Sequence, residues 1–162
     1  MKVLSVLLAL GIVFLSPVSY SQTLSNVLEG FTSLQIHVGD TDQDAADCGV
    51  TKASLRSAAS FPIATSRLRI REKASLIFSV NVIVVPTTKG SKPGCASAYD
   101  VVAYMYGFFE LPPTQTKKAQ KIQLWEDGGL IVGPMGDFGR RMSAKIDALA
   151  KEFVVDWTLD QQ

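Results

Sequence analysis

The alternation of apolar and polar side chains predicts β-strands along much of this chain. Leu34, Ile36 and Val38 alternate with polar neighbours, which is the period of a strand with one buried face. Arginine alternates with Leu and Ile over 67–71 and predicts a second strand with its charges on one side. The run 75–85 is rich in Val and Ile and is the clearest strand of all.

Two further strand regions follow on either side of a Pro-Pro pair. A long strand is predicted over 95–111, with a β-bulge at Gly107. Over 119–132, alternation on both sides of the Asp-Gly-Gly at 127–129 predicts two short strands joined by a turn. The connections between strands 75–85, 95–111 and 119–132 are short, which favours antiparallel pairing because parallel neighbours need a long crossover.

Apolar residues at helical spacing predict two helices. Thr51 is placed to cap the first helix, and Pro62 is predicted to end it. Asp137 is the predicted cap of the second helix. The apolar positions of that helix are Phe138, Met142, Ile146, Leu149, Phe153 and Trp157. The fold class is therefore predicted to be α+β, an antiparallel four- to five-stranded sheet with two helices packed on one face.

The N-terminus has the pattern of a secretory signal peptide. Lys2 precedes an apolar stretch that runs to Leu15, and Ser-Tyr-Ser at 19–21 places small residues at the −3 and −1 positions of a cleavage site. The apolar stretch is shorter than the roughly 20 residues that a membrane-spanning helix needs. We therefore expect a signal peptide over 1–21 and a single exported domain over 22–162, periplasmic or extracellular, with no transmembrane anchor after processing.

The two cysteines are expected to form a disulfide. Cys48 and Cys95 are the only cysteines, and thiols tend to pair outside the cytoplasm. Closing a loop of this length would stabilise the fold by about 4 kcal/mol. A redox function is disfavoured because the C-x-x-C spacing is absent.

Composition narrows the class of partner. The 162 residues are 47% hydrophobic and 19% charged, as expected of one folded domain. With 16 basic and 15 acidic side chains, the chain lacks the field that attracts nucleic acid or an anionic membrane surface. A basic stripe formed by Arg67, Arg69, Arg71 and Lys73 would either bind anionic groups or protect an edge strand from aggregation, and the neutral total favours the second interpretation.

Enzyme chemistry has few candidate residues in this sequence. His37 is the only histidine and no G-x-S-x-G motif is present, so a nucleophile–histidine device would have to use His37. A small exported hydrolase that uses carboxylates or His37 is the alternative function, because two carboxylates can be remote in sequence and close in space. A zinc site is disfavoured because the chain offers only one imidazole and, with both cysteines expected in a disulfide, no free thiolate as ligands. No metal site and no cofactor are therefore predicted.

Two segments imitate ligand-binding loops. Asp40, Asp42, Asp44 and Asp47 resemble the start of a calcium loop, but the Gly and Glu that an EF-hand requires are absent. The glycine-rich segment 128–139 lies between a strand and a helix, but its spacing fits neither nucleotide-binding pattern. A solvated acidic loop and ordinary turn and cap glycines are the preferred interpretations.

Apolar residues also occupy the strand faces that should point away from the helices. If Leu76 faces the helices, then Ile83 and Val85 of the same strand need another cover. Trp125 is expected on the same side of its strand as Gln123. The candidate binding residues are Tyr104, Tyr106, Phe108 and Trp125. On one shared face they would form an aromatic patch of the kind that marks a ligand or partner surface; the alternative is a bulge that buries the rings locally.

Four short patterns occur together along the chain. They are the alternating strand at 34–38, Cys48-Gly49-Val50-Thr51 with Leu55-Arg56, an isolated Trp125, and Phe153-x-x-Asp156-Trp157. Together they resemble a recurrent group of uncharacterised small exported bacterial proteins, over most of the chain after residue 21. The resemblance implies export and a common fold, and it offers no catalytic residues.

The sequence thus predicts an exported, non-enzymatic binding or assembly module that uses an apolar or aromatic face of its sheet. The expected partner is a protein or an amphiphilic small molecule, and self-association as a homodimer is a third hypothesis. Nucleic acid is not an expected partner.

Overall fold

The computed structural model describes residues 27–89, 92–111 and 116–162, which form five β-strands and three α-helices. Along the chain they are β1 (Ser33–Val38), α1 (Gln43–Asp47), α2 (Lys52–Ala64), β2 (Arg69–Ile70), β3 (Leu76–Lys89), β4 (Lys92–Leu111), β5 (Thr116–Pro134) and α3 (Met135–Asp160). The signal peptide predicted over 1–21 lies outside the described residues.

The α+β class is confirmed, but the sheet is mixed rather than antiparallel. Its strand order is β2-β1-β3-β4-β5. Strands β3, β4 and β5 form the predicted antiparallel meander, whereas β1 pairs in parallel with both β2 and β3. The physical reason is the helical segment α1–α2, which supplies the long crossover that parallel neighbours require. The bulge predicted at Gly107 is also wrong, because Gly107 pairs with Gln120 in regular register.

The described chain contains three helices rather than two, and side chains cap the first two. Helix α1 is one short turn within the predicted acidic loop, where Asp42 accepts a hydrogen bond from the Ala45 amide at 2.9 Å. Helix α2 begins after Thr51, as predicted. The Thr51 hydroxyl accepts from the Ser54 amide while the Ser54 hydroxyl accepts from the Thr51 amide. This reciprocal capping box satisfies backbone donors that the helix itself leaves unpaired.

Two predicted helix boundaries are wrong. Pro62 lies buried inside α2, which continues to Ala64. The helix tolerates the backbone hydrogen bond that proline cannot form, because Pro62 is close to the end of the helix. Helix α3 begins at Met135, so Asp137 lies in its first turn rather than at the cap. There the carboxylate is still favourable for the helix dipole and forms an ion pair with Arg140.

The core lies between the helices and one face of the sheet. All six predicted apolar positions of α3 are buried. Phe78 of β3 is fully buried at the centre of this layer, and its ring centroid lies 5.0 Å from that of Phe153 on α3. The alternating residues Leu34, Ile36 and Val38 of β1 are buried on the same side, as their period predicted.

The predicted disulfide is present. Cys48, which follows α1, is bonded to Cys95 of β4 across a sequence separation of 47 residues. Both cysteines are completely buried. The bond therefore joins the crossover segment to the antiparallel part of the sheet.

Strand β5 is continuous, and the turn predicted at 127–129 is absent. Gly128 and Gly129 pair instead with Asp100 and Tyr99 of β4. A Cβ on Gly128 would lie 2.9 Å from the Tyr99 carbonyl oxygen. Glycine is thus required here by the close approach of two strands rather than by a turn.

Candidate functional site

The side of the sheet opposite α2 and α3, here called the outer face, carries two rows of apolar side chains. Each row crosses three strands, because the register aligns one residue of β3 with one of β4 and one of β5. The rows are Ile83, Ala98 and Leu130, and Val85, Ala96 and Val132. We call these six residues the apolar patch.

The large side chains of the apolar patch are mostly in contact with solvent. The exposed fraction is 81% for Leu130, 69% for Ile83, 64% for Val132 and 53% for Val85. Only a shallow depression of about 280 Å³ lies among them. Contiguous apolar surface of this kind is unfavourable in water and is typical of an interaction site.

Three of the four candidate binding residues also lie on the outer face, farther along β4. Tyr104, Tyr106 and Phe108 alternate there and are called the aromatic row; Tyr106 and Phe108 are exposed. The rings of Tyr104 and Tyr106 meet edge to face with centroids 5.7 Å apart. The Lys121 Nζ lies 4.1 Å from the Tyr104 ring centroid, a cation–π distance. Burial first, and then the charge and hydrogen bonding of Tyr106, raise the pKa of Tyr104.

Trp125, the fourth candidate, lies on the helix-covered face. Its ring centroid is 6.2 Å from that of Phe78 and 5.6 Å from that of Phe153. Its Nε1 donates a hydrogen bond to Asp156 Oδ2 of α3 at 2.8 Å. The four predicted residues therefore do not form one patch.

A β-bulge explains the position of Trp125. Ala103 and Tyr104 are consecutive in β4 but pair with Trp125 and Gln123 of β5, so Leu124 is an extra residue. One extra residue reverses the alternation of side chains along the strand. Gln123 and Trp125 are two positions apart and yet lie on opposite faces.

Sequence reasoning missed four of the six residues of the apolar patch, namely Ala96, Ala98, Leu130 and Val132. The two on β5 were missed because the 127–129 segment was interpreted as a turn, which separated Leu130 and Val132 from the rest of the strand. The available signal was the apolar run 130–132 in a segment otherwise rich in polar residues. Its location beside Ile83 and Val85 depends on the register of three strands.

The residues considered for catalysis and metal binding are dispersed. His37 is exposed on β1 opposite Ser79 of β3. Asp40 forms an ion pair with Lys52 at 2.9 Å, and this hydrogen bond and the lysine charge lower the pKa of Asp40. Within residues 27–89, 92–111 and 116–162, no three His, Cys, Asp or Glu side chains lie close enough to hold a metal ion together.

A wider cleft of about 740 Å³ lies beside the C-terminal ends of α2 and α3. The hydroxyls of Thr65, Ser66 and Thr158 at this cleft donate to carbonyls of their own helices. Arg67 lies there as well, where the partial negative charge of helix C-termini favours a cation. The three hydroxyls thus already bond to the two helix ends.

Comparison with known proteins finds only distant likenesses. No protein-family model and no curated protein matches this chain. The hypothetical protein CT253 from Chlamydia trachomatis is similar with a TM-score of 0.45 and 8% identity, over 75% of this chain and 96% of that one. Two structures of the PelC dodecamer from Paraburkholderia phytofirmans are similar with TM-scores of 0.40. One has 12% identity over 76% of this chain and 87% of that one. The other has 14% identity over 86% of this chain and 91% of that one.

None of the described helices combines the length and the apolar character that crossing a membrane would demand.

Proposed function

We propose that this protein is an exported, non-enzymatic binding or assembly module whose outer face binds a protein partner or an amphiphilic small molecule. The observation that carries the proposal is the apolar patch, in which four large apolar side chains are more than half exposed and stand in straight rows across three strands. The buried disulfide is compatible with export.

The shape of the outer face favours a protein over a small molecule. Sites for small ligands are enclosed, typically with volumes of about 300–1,000 Å³, whereas the depression in the apolar patch is open and shallow. The aromatic row extends the same face with two exposed rings, Tyr106 and Phe108. Exposed aromatic residues next to aliphatic ones are typical of protein interfaces.

The test is a double variant, Ile83→Ser with Leu130→Ser, compared with the natural chain in the exporting cell. After chemical crosslinking, the chain is purified from the exported fraction and its mass is measured. We expect the natural chain to carry a defined bound species whose mass is not that of a second copy of this chain, and the double variant to lose that species at least tenfold. The melting temperature should hardly change, because both side chains are already exposed.

The matched control is Leu159→Ser, which removes a leucine that is 59% exposed on α3 and outside the patch. It should retain the bound species. A natural chain recovered without such a species, whether alone or joined only to copies of itself, or a double variant that retains the species, would contradict the proposal.

A further inference from the structure

One edge of the described sheet is formed by a long strand. In the described chain, β5 is the last strand of the order and has 19 residues, whereas the opposite edge, β2, has two. An edge strand presents unpaired backbone N–H and C=O groups with which another strand can pair. Near the end of β5, Arg141 Nη1 donates to the Val132 carbonyl at 3.0 Å. The middle of β5 is the part suited to pairing.

The charges along β5 form two blocks of opposite sign. Lys117, Lys118 and Lys121 lie before the bulge, and Glu126 and Asp127 lie after it. Charge of a single sign along an edge strand would repel every copy of the same edge. A copy of β5 turned end to end can instead place Glu126 of one copy opposite Lys121 of the other. This arrangement is complementary to itself in the antiparallel direction.

The two faces of β5 select the register of such a pair. Residues directly opposite each other in an antiparallel pair lie on the same face. Lys121 and Glu126 both lie on the outer face, since they pair with Tyr106 and Val102 of β4. In a regular strand, residues five positions apart lie on opposite faces. The bulge at Leu124 brings these two onto one face and so allows them to lie opposite each other.

The same register also matches apolar residues on the other face. Ile122 and Trp125 pair with Met105 and Ala103 of β4 and lie on the helix-covered side, where both are half-buried. In the proposed register, Ile122 of one copy lies opposite Trp125 of the other. The two-fold axis is then flanked by ion pairs on the outer face and by apolar pairs on the helix-covered face.

We propose that β5 pairs antiparallel with β5 of a second copy of this chain, about a two-fold axis between Gln123 and Leu124. Lys121 of each copy then lies opposite Glu126 of the other. The Gln123 side chain donates to the Glu126 carboxylate within one chain and holds that carboxylate beside the axis. The two sheets become one ten-stranded sheet, with both apolar patches on a continuous outer face. This inference concerns a different surface and a different partner from the proposed function, and it stands without it.

The experiment uses two charge reversals, Lys121→Glu and Glu126→Lys, in the disulfide-bonded exported chain. Each variant alone places like charges opposite each other at both symmetric contacts, so we expect its self-association to weaken by about tenfold or more. An equimolar mixture of the two variants has opposite charges at both contacts. We expect the mixture to form a heterodimer with near-natural affinity, measured by sedimentation velocity and native mass spectrometry.

The equimolar mixture of the two variants distinguishes a loss of pairing between two chains from a change within one chain. Lys121→Glu also removes the cation over the Tyr104 ring, but the loss of that contact cannot be repaired by mixing. Arg69→Glu on the opposite edge is the matched control and should leave the dimer intact. A natural chain that stays monomeric at high micromolar concentration, or a mixture that stays monomeric while the natural chain dimerises, would overturn the proposal.

The outer-face variant distinguishes this inference from the proposed function. The chain carrying Ile83→Ser and Leu130→Ser should still dimerise through β5. If this double variant loses the species bound at the apolar patch and remains a dimer, the two surfaces act separately. If the double variant becomes monomeric, the copies associate through the apolar patch and the proposed pairing of β5 is wrong.

Discussion

At the scale of single residues, one inserted side chain decides which aromatic groups lie on the outer face. Leu124 shifts the pairing of β5, so Trp125 packs on Phe78 and Phe153 and donates to Asp156. Tyr106 stays exposed on the other face. Trp125 therefore packs against the core, and the candidate residues that remain on the outer face belong to β4.

The pH behaviour of the aromatic row gives a prediction at this scale. The pKa of Tyr104 is raised above its ordinary value of 10.0, first by burial and then by Tyr106. As the pH rises, the unfolded chain therefore loses the Tyr104 proton before the folded chain does. The stability that protonated Tyr104 contributes is fully present below pH 10.0 and is lost as the pH rises through the pKa of the folded chain. In Tyr106→Phe the pKa of Tyr104 should fall, but it should stay above the ordinary value because burial remains.

Phenolate absorbance during a pH titration measures this change. Phe108→Leu, on the same row, is the control and should leave the titration of Tyr104 unaltered. If Tyr106→Phe also leaves it unaltered, the two hydroxyls do not interact.

At the scale of elements, the first turn of α3 lies against the loop that joins α1 to α2. A Cβ on Gly139 would overlap the carbonyl oxygen of Gly49, whereas a Cβ on Gly136 would meet nothing within 4 Å. Gly49 itself has a φ of +73°, a left-handed conformation that glycine adopts without strain. The helix and the loop are thus in backbone contact next to the disulfide.

We predict opposite effects for two Gly→Ala substitutions in this one helix. Gly139→Ala should lower the free energy of unfolding by about 1–3 kcal/mol, because overpacking outweighs the better helix propensity of alanine. Gly136→Ala, the matched control, should be neutral or stabilising by up to about 1 kcal/mol. Urea unfolding of both variants tests the contact, and equal stabilities would refute it.

At the scale of the whole molecule, covalent and hydrogen bonds join parts that are distant in sequence. The disulfide joins the α1–α2 segment to β4. The end of α3 is bonded to the turn that precedes β1: Trp157 Nε1 donates to the Phe31 carbonyl at 2.9 Å, and Gln161 Nε2 to the Leu28 carbonyl at 2.8 Å. These bonds hold the parallel and antiparallel parts of the sheet under one helical layer.

Loss of the disulfide should therefore reduce global stability. We expect Cys48→Ala with Cys95→Ala to lower the free energy of unfolding by about 2–4 kcal/mol, because the unfolded chain gains freedom when its loop opens. Denaturant unfolding with and without reductant measures the effect. The variant should be insensitive to reductant, and a natural chain that is equally insensitive would show that the bond adds no stability.

Prediction from sequence succeeded where the pattern of one segment was regular, although two helix boundaries and the turn at 127–129, also predicted from local signals, were wrong. The period of two at Leu34–Val38, the three-and-four spacing on α3 and the Thr51 cap all depend on neighbours within a few residues. It failed for Trp125 and for the apolar run 130–132, since the face of a strand residue depends on the register with another strand. It also failed for the direction of β1, which follows from the path of the crossover.

The sequence by itself determined the α+β class, the apolar face of α3 and the single way in which two cysteines can pair, because these follow from local periodicity and from counting. Tertiary structure alone decided that β1 runs parallel to β3, that Leu124 is a bulge, and that residues from three strands form the apolar patch. Each of these requires backbone hydrogen bonds between segments far apart in the chain, and local side-chain patterns do not encode the register of such bonds.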